Sequence, residues 1–490
     1  MAHPPANEPS AAPARQRWLA LAVLCLGVLM IVLDTTIVNV ALPSIRADLQ
    51  FTETTLVWVV NAYMLTFGGF LLLGGRLGDL YGHRRLFLAG ITAFSLASLG
   101  CGLSHTQGAL VAARALQGVA GAVVSAVSLS LIMTLFTTPA DRAKAMGVYG
   151  FVCASGGSIG VLLGGLLTGT LGWPAIFLVN LPIGLLVFVA SWRLLPSARG
   201  PAVRLRLDLA GAGSITLSLM LAVYAVVDGQ AAGWWSARTL GLLVAALLLF
   251  AAFIAIERRV AAPLVPLGLF RLRNVATANA AGVLWAAAMF AWFFISALYM
   301  QAVLGYSPLQ VGLGFLPANL LMAAFSLGLS ARIVMRFGLR GPLAAGLGIA
   351  ALGLAWFARA PVQGQFLLHV LPPMLLLGLG AGVAFNPMLL AAMSDVPPED
   401  AGLASGVVNT AFMMGGALGL AVLASLAAAL SAQALAAGLA PAAALHAGYQ
   451  LALWLGALCA GGASLLCALG LRTPAAAAAA ASPGAASHGA

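Results

Sequence analysis

The chain has 490 residues, 62% of them hydrophobic and only 7% charged, with a mean hydropathy of +1.04. An average soluble domain carries roughly 25% charge, so there is too little polar surface here to cover a globule in water. A soluble enzyme, a nucleic-acid-binding protein and a disordered chain are excluded. The net charge of +11 does not point to nucleic acid, because the arginines are scattered between apolar runs and not gathered on one face.

Residues 1–16 are rich in Pro and Ala and read as a disordered tail. The apolar run that follows is too long for the core of a cleaved signal peptide, so it is expected to direct insertion itself. A spanning helix needs about 20 apolar residues. Fourteen apolar segments follow in order, at 17–43, 55–74, 85–103, 108–135, 145–169, 173–195, 208–228, 238–257, 274–303, 308–331, 341–359, 364–392, 401–430 and 447–471. All are expected to be α-helical, since backbone polar groups in lipid must pair within their own segment. The end, 472–490, is Ala-rich and of low complexity, a second disordered tail. The five cysteines, Cys25, Cys101, Cys153, Cys459 and Cys467, lie in or beside apolar runs without ligand spacing. They read as small core residues, with no disulfide framework and no metal site.

With the N-terminus in the cytoplasm and alternating loops, the basic residues sort sharply. Of 23 Lys and Arg, only Arg46, Arg238 and Arg359 fall outside and Arg114 falls within a segment; the other nineteen face the cytoplasm. This bias predicts both termini in the cytoplasm. One cytoplasmic loop, 393–400, dissents with Asp395, Glu399 and Asp400.

A faint internal repeat organises the chain. GGRLGDLYGHRR (74–85) follows the second segment, and ARIVMRFGLR (331–340) follows the tenth. Aligning Gly82 with Gly338 places Arg76 over Arg332 and Arg84 over Arg340, while Asp79 becomes Met335. Duplicated halves of this kind are characteristic of secondary transporters. The expected division is a six-helix bundle at 17–195, two extra helices with cytoplasmic linkers at 196–273, and a second six-helix bundle at 274–471.

Among the twelve Asp and Glu residues, Asp34 alone lies deep in an apolar run, and Arg114 is the matching basic residue. An ionisable group at membrane depth costs at least ~2.5–3.5 kcal/mol and is a functional candidate by default. An acid can exchange a proton with a gradient; a guanidinium cannot lose its own, but steadies a nearby carboxylate. The competing readings are a purely structural pair, or Asp34 capping a helix break before Pro43.

Residues 33–45, LDTTIVNVALPSI, together with GRLGDLYGHRR (75–85) and RALQGVAG (114–121), resemble motifs of the major facilitator superfamily. The likeness is to its fourteen-helix drug:proton antiporters of the EmrB/QacA type, and FLVNLPIG (177–184) and SGVVNTAFMMGGALG (405–419) extend it over nearly all of 17–471. The resemblance implies an all-α polytopic membrane protein of 14 transmembrane helices, two six-helix bundles around a midplane cavity. It implies proton coupling at Asp34 and Arg114, with Gln117 and Gly118 in the same motif. It implies a conformational latch on the cytoplasmic side from Gly75, Gly78, Asp79, Gly82, Arg84 and Arg85. In the fifth segment Gly160, Gly164 and Gly165 match the antiporter motif G-P-x-x-G-G, with Val161 in place of its proline. Two further departures remove polarity: Trp173-Pro174-Ala175-Ile176-Phe177 lacks the family's Arg, and Phe412-Met413 replace Arg-Gln.

The substrate region is the least determined. WAAAMFAWFFISALYMQ (285–301) is dense in aromatics and Met, which form adaptable apolar walls. Met289, Trp292, Phe293 and Phe412, with Asn39, Asn61, Gln117 and Asn409, are the candidate cavity residues. Asn180 reads as scaffold.

A proton-coupled exporter of lipophilic or cationic drugs in the bacterial cytoplasmic membrane fits these features. A dedicated exporter of one antibiotic or metabolite, and an uptake symporter, are the alternatives. A channel lacks repeated polar rings. An enzyme lacks a cluster of acids, nucleophiles or His, the six His being dispersed. No Walker motif is present, so the proton gradient is the expected driving force and no cofactor is expected. Expected partners are a small drug-like substrate, protons and the lipid bilayer; the resemblance adds a periplasmic adaptor and outer-membrane channel in double-membraned bacteria. Reporter fusions near residue 232 should give an external signal and fusions near 265 a cytoplasmic one; the reverse at both sites would overturn the topology.

Overall fold

All fourteen apolar segments are helical in the computed structural model, which describes residues 14–136, 138–195, 208–260, 263–325, 329–394, 396 and 401–472. The helices are α1 (Ala14–Leu49), α2 (Glu53–Leu56), α3 (Trp58–Tyr81), α4 (His83–Gly102), α5 (Gln107–Leu135), α6 (Pro139–Leu171), α7 (Ala175–Leu178) and α8 (Asn180–Leu194). Then come α9 (Leu209–Ala232), α10 (Ala237–Glu257), α11 (Arg273–Leu298), α12 (Pro308–Ala324), α13 (Ser330–Phe337), α14 (Arg340–Phe357), α15 (Leu371–Met393), α16 (Ala401–Ala436) and α17 (Pro441–Gly470). Twelve helices among the described residues are long and apolar enough to cross a membrane, and two shorter apolar stretches, Ile159–Leu171 and Pro308–Ala324, lie in the fifth and tenth segments. The expected tails lie outside the described residues, apart from 14–16 in α1 and Arg472.

Local sequence signals set the helix ends. Thr106, Thr138, Asp208 and Ser236 accept the first backbone N–H groups of α5, α6, α9 and α10, the usual N-cap role of these side chains. Ser307 and Gln310 form a capping box at α12, with Pro308 in its first turn. Gly82 and Gly338, paired by the internal repeat, both have positive φ, 89° and 72°, and each turns the chain sharply between two helices. The echo in the sequence is thus an echo in backbone shape. Pro43 does not break α1, which runs through it to Leu49, so Asp34 caps nothing.

The first-half helices α1, α3, α4, α5, α6 and α8 pack on one another, as do α11, α12, α14, α15, α16 and α17 in the second. Two seams join the groups, α3 against α16 and α6 against α12. Polar ties cross the boundary too. Asn61 donates to the Ala417 carbonyl at 2.8 Å, Gln301 to the Val40 carbonyl at 2.9 Å, and the Tyr449 hydroxyl to Glu53 at 3.3 Å. All three lie toward the Arg-poor end of the molecule. The pair α9 and α10 packs together, with α9 also against α3 and α16.

Lipid offers no hydrophobic drive for helices to associate, so close backbone approach between small residues does the holding. In α15, a Cβ on Gly378 would run into the Ala318 carbonyl group, with the Ala318 Cα at 2.7 Å, and one on Gly380 would lie 2.6 Å from the Gly346 carbonyl oxygen of α14. Gly341 has open space around it. Gly378→Ala should therefore destabilise the purified chain by about 1–3 kcal/mol, the cost of overpacking, and Gly341→Ala should not; thermal unfolding in detergent compares them. Equal melting temperatures would contradict this packing.

Candidate functional site

Asp34 sits at mid-length in α1 and is fully buried. Three nitrogens donate to its carboxylate: Arg114 Nη1 at 2.5 Å, Gln117 Nε2 at 2.7 Å and Asn180 Nδ2 at 3.1 Å. Arg114 and Gln117 are three residues apart on α5 and so share a face; Asn180 opens α8. These partners are themselves held by further hydrogen bonds. Gln117 and Asn180 both donate to Ser98 Oγ of α4, at 2.7 and 3.2 Å. Arg114 donates Nη1 to Gln117 Oε1 at 2.7 Å and Nε to the Val59 carbonyl at 2.9 Å. Its guanidinium lies 4.4 Å from the centre of the Tyr63 ring, a cation–π contact. Cys101 Sγ lies 3.6 Å from Gln117 Oε1.

Each group that bonds to Asp34 is a donor. Removing one partner of such a pair leaves an uncompensated buried charge, which typically costs about 3–5 kcal/mol. A proton arriving at Asp34 removes the anion that holds Arg114 in place. The cluster ties five helices, α1, α3, α4, α5 and α8, and lies within the first-half group rather than between the groups.

The helix that carries Asp34 is gripped closely. A Cβ on Gly160 would meet the Thr36 hydroxyl, with the Leu33 carbonyl oxygen at 3.0 Å; one on Gly164 would meet the Ile37 carbonyl oxygen at 2.7 Å. Gly165 instead faces α12, its Cβ position 2.7 Å from the Pro308 carbonyl oxygen. The Val161 carbonyl lies 2.9 Å from a Cβ built on Gly312, so this stretch of α6 meets α12 through backbone, with Val161 in the proline's place.

At the loop motif, Gly78 lies close to His83 and Val127, while Gly75 has only the Ala126 Cβ within reach, at 3.9 Å. Arg76 donates to the Pro263 carbonyl at 3.2 Å and Arg84 to the Trp192 carbonyl; Arg85 is exposed. The Asp79 side chain lies outside the described residues. Of the cysteines, Cys25, Cys101 and Cys467 are buried and free, and Cys459 is partly buried and free; the Cys153 side chain is not among those described. Asp395, Glu399 and Asp400 also lie outside the described residues.

The candidate cavity residues are not brought together. Gln117 belongs to the Asp34 cluster. Asn61 ties α3 to α16. Asn39 donates to the Thr35 and Thr36 carbonyls of its own helix, and Asn409 to that of Ser405. Trp292 is buried and donates to the Met374 sulfur at 3.3 Å, and Phe293 stacks on Phe315 at 5.4 Å, both inside the second-half group. Phe412 of α16 meets Phe290 of α11 at 6.0 Å, and Met64 of α3 lies beside them, 3.0 Å from a Cβ built on Gly416. Met289, next to Phe290, is partly buried. The sequence reading missed Ser98, Tyr63 and the carboxylate-binding role of Asn180. It also passed over Asn319 of α12, buried, with neither amide atom partnered among the described residues. An amide within an apolar run was the available signal for both Asn180 and Asn319; Ser98 gave none.

Comparison with known proteins agrees with this architecture. The sequence profile of the Major Facilitator Superfamily matches residues 24–420. The puromycin resistance protein pur8 of Streptomyces alboniger is 42% identical over 413 residues, covering 84% of this chain and 82% of that protein. The cephamycin export protein CmcT of Amycolatopsis lactamdurans is 42% identical over 407 residues, covering 82% and 84%. The crystal structure of an auto-inhibited POT family peptide transporter superposes with a TM-score of 0.64 at 18% identity, over 92% of this chain and 97% of that one.

If Asp34 and Arg114 stabilise each other, Arg114→Ala should cost about 3–5 kcal/mol in unfolding measurements. Asp34→Asn in the same background should then recover part of that loss, because the stranded charge is gone. Strictly additive effects in this double-mutant cycle would show that the two side chains are energetically independent.

Proposed function

The chain belongs to the Major Facilitator Superfamily, and from that premise we propose that it is a proton-driven exporter of small lipophilic or cationic drugs and toxic compounds. It is a multi-pass membrane protein and a transporter, not an enzyme. The observation that carries proton coupling is the buried Asp34–Arg114 pair and its position on α1. The same helix is held by the α6 glycines at Leu33, Thr36 and Ile37 and reaches the second half through Val40 and Gln301. Protonation of Asp34 loosens three hydrogen bonds at once, and α1 carries that change to the seams between the halves.

On this reading the halves 17–195 and 274–471 rock about a midplane cavity, with 196–273 between them. Both termini face the cytoplasm of a bacterium, and the loop motif around Asp79 latches the cytoplasmic side. A proton enters from outside, neutralises Asp34 and leaves inside. The membrane potential supplies ~2.3 kcal/mol per charge per 100 mV, enough for about a fortyfold gradient per coupled proton. The proton gradient drives the cycle without a cofactor, and in a double-membraned bacterium a periplasmic adaptor and outer-membrane channel would carry the cargo onward. Met64, Phe290 and Phe412 supply an apolar, polarisable surface where the halves meet, suited to lipophilic cargo. A narrower reading, export of a single antibiotic, is supported by the two relatives named for puromycin and cephamycin.

Proteoliposomes holding the purified chain provide the test, with ethidium as probe and an imposed pH gradient. Wild type should accumulate ethidium against its gradient and lose this with a proton ionophore. Asp34→Asn should still insert and bind probe but lose proton-driven accumulation. Undiminished pumping by Asp34→Asn would make Asp34 a structural residue and end this mechanism.

A further inference from the structure

A groove of about 600 Å³ opens near the Arg-poor end of the second half, between α14, α15 and α17. Its walls are Leu352, Trp356, Leu376 and Trp454, and its polar residues are Arg359 and His369. Trp356 and Trp454 are 49% and 41% exposed, on helices that cross a membrane. They therefore meet lipid: Trp356 in the last turn of α14, where amphipathic rings gather at the bilayer interface, and Trp454 at mid-length of α17, lining the same groove.

The charges at this end are not equivalent. Arg46 pairs with Glu53 at 2.7 Å and Arg238 with Asp228 at 3.1 Å. Arg359, just beyond the end of α14, has no acidic partner among the described residues and instead lies 5.9 Å from the Trp454 ring centre. The groove lining contains no acid. His369 sits in the turn Phe366–Val370 that leads into α15, and its Nδ1 accepts the Gln365 N–H at 3.0 Å. The neutral ring then carries its hydrogen on Nε2 and is a donor there. A guanidinium and an imidazole N–H at the rim, above an apolar trough open to lipid, complement an anionic head on a hydrocarbon tail.

We propose that this groove binds one anionic phospholipid of the outer leaflet, its phosphate at Arg359 and His369 and an acyl chain along Leu352, Leu376 and Trp356. Guanidinium–phosphate hydrogen bonds are charge-assisted and directional, so the headgroup selects and the trough retains. The site is separate from Asp34, which lies in the other half; its leaflet rests on the proposed orientation, and its lipid binding does not depend on the transport reading.

Native mass spectrometry of the purified full chain tests this, with phosphatidylglycerol, phosphatidylcholine of the same chains, and glycerol phosphate as probes. Wild type should retain one phosphatidylglycerol in clear preference to phosphatidylcholine. Arg359→Gln should lower phosphatidylglycerol retention about tenfold, the scale of one charge-assisted contact, and leave phosphatidylcholine unchanged. Arg359→Lys should keep part of the preference, and Leu352→Trp, which fills the trough, should lower retention of both lipids. Melting temperatures of all variants are compared with wild type, and the exposed Arg359 position should leave them unaltered. Equal retention by wild type and Arg359→Gln, equal retention of the two lipids by wild type, or displacement of the lipid by glycerol phosphate at matched concentration would each overturn the proposal.

Discussion

An ion pair at membrane depth has to bring its own solvent. A buried charge without hydrogen-bond partners is costly, and around Asp34 and Arg114 the protein itself brings donors and acceptors. The chain supplies them from three further side chains, Gln117, Asn180 and Ser98, and the Val59 carbonyl, and lays the Tyr63 ring face on the guanidinium. This requirement explains much of the first half. Five helices, α1, α3, α4, α5 and α8, converge on one point. In so connected a set of hydrogen bonds, losing one charge would disturb several partners at once.

Glycine determines how such helices stand so close. α6 uses one run of residues for two contacts, Gly160 and Gly164 against α1 and Gly165 against α12. The acid-bearing helix and the seam between halves are therefore held by adjacent turns of a single helix. Movement of α1 relative to α6 necessarily bears on α12. In α15 the same economy appears without charge: Gly378 faces α12 and Gly380 faces α14. Close backbone contact of this kind is unforgiving of added atoms and permits only a few discrete arrangements, the property that lets small local changes become rigid-body motions.

Polar groups at the Arg-poor end show a second pattern. Asn61, Gln301 and Tyr449 tie the halves together there, and the Arg46–Glu53 pair borders the same seam. Arg359 stands apart from this set, exposed in the groove between α14, α15 and α17. The Arg46–Glu53 pair at this seam is satisfied within the protein, whereas Arg359 has no acidic partner among the described residues.

The sequence by itself determined the membrane class, the apolar segments and the sorting of Arg and Lys, because hydrocarbon thickness and charge cost leave a signal in composition alone. It also singled out Asp34 and Arg114, since a charge in an apolar run is visible without knowing its neighbours. The internal repeat placed Gly82 and Gly338 in the same role, and both adopt positive φ. Which residues surround the acid, and which way the aromatics of 285–301 face, was decided only by the tertiary structure. A helix apolar on every side has no amphipathic stripe to read. Asn180 read as scaffold and Asn409 as a cavity residue, yet Asn180 binds the buried carboxylate and Asn409 bonds to its own helix. Trp292 and Phe293 turned into the second-half core because α15 and α12 offered Met374 and Phe315 as partners. Ser98 carries no signal by itself, because its partners come from helices nineteen and more than eighty residues away in the chain.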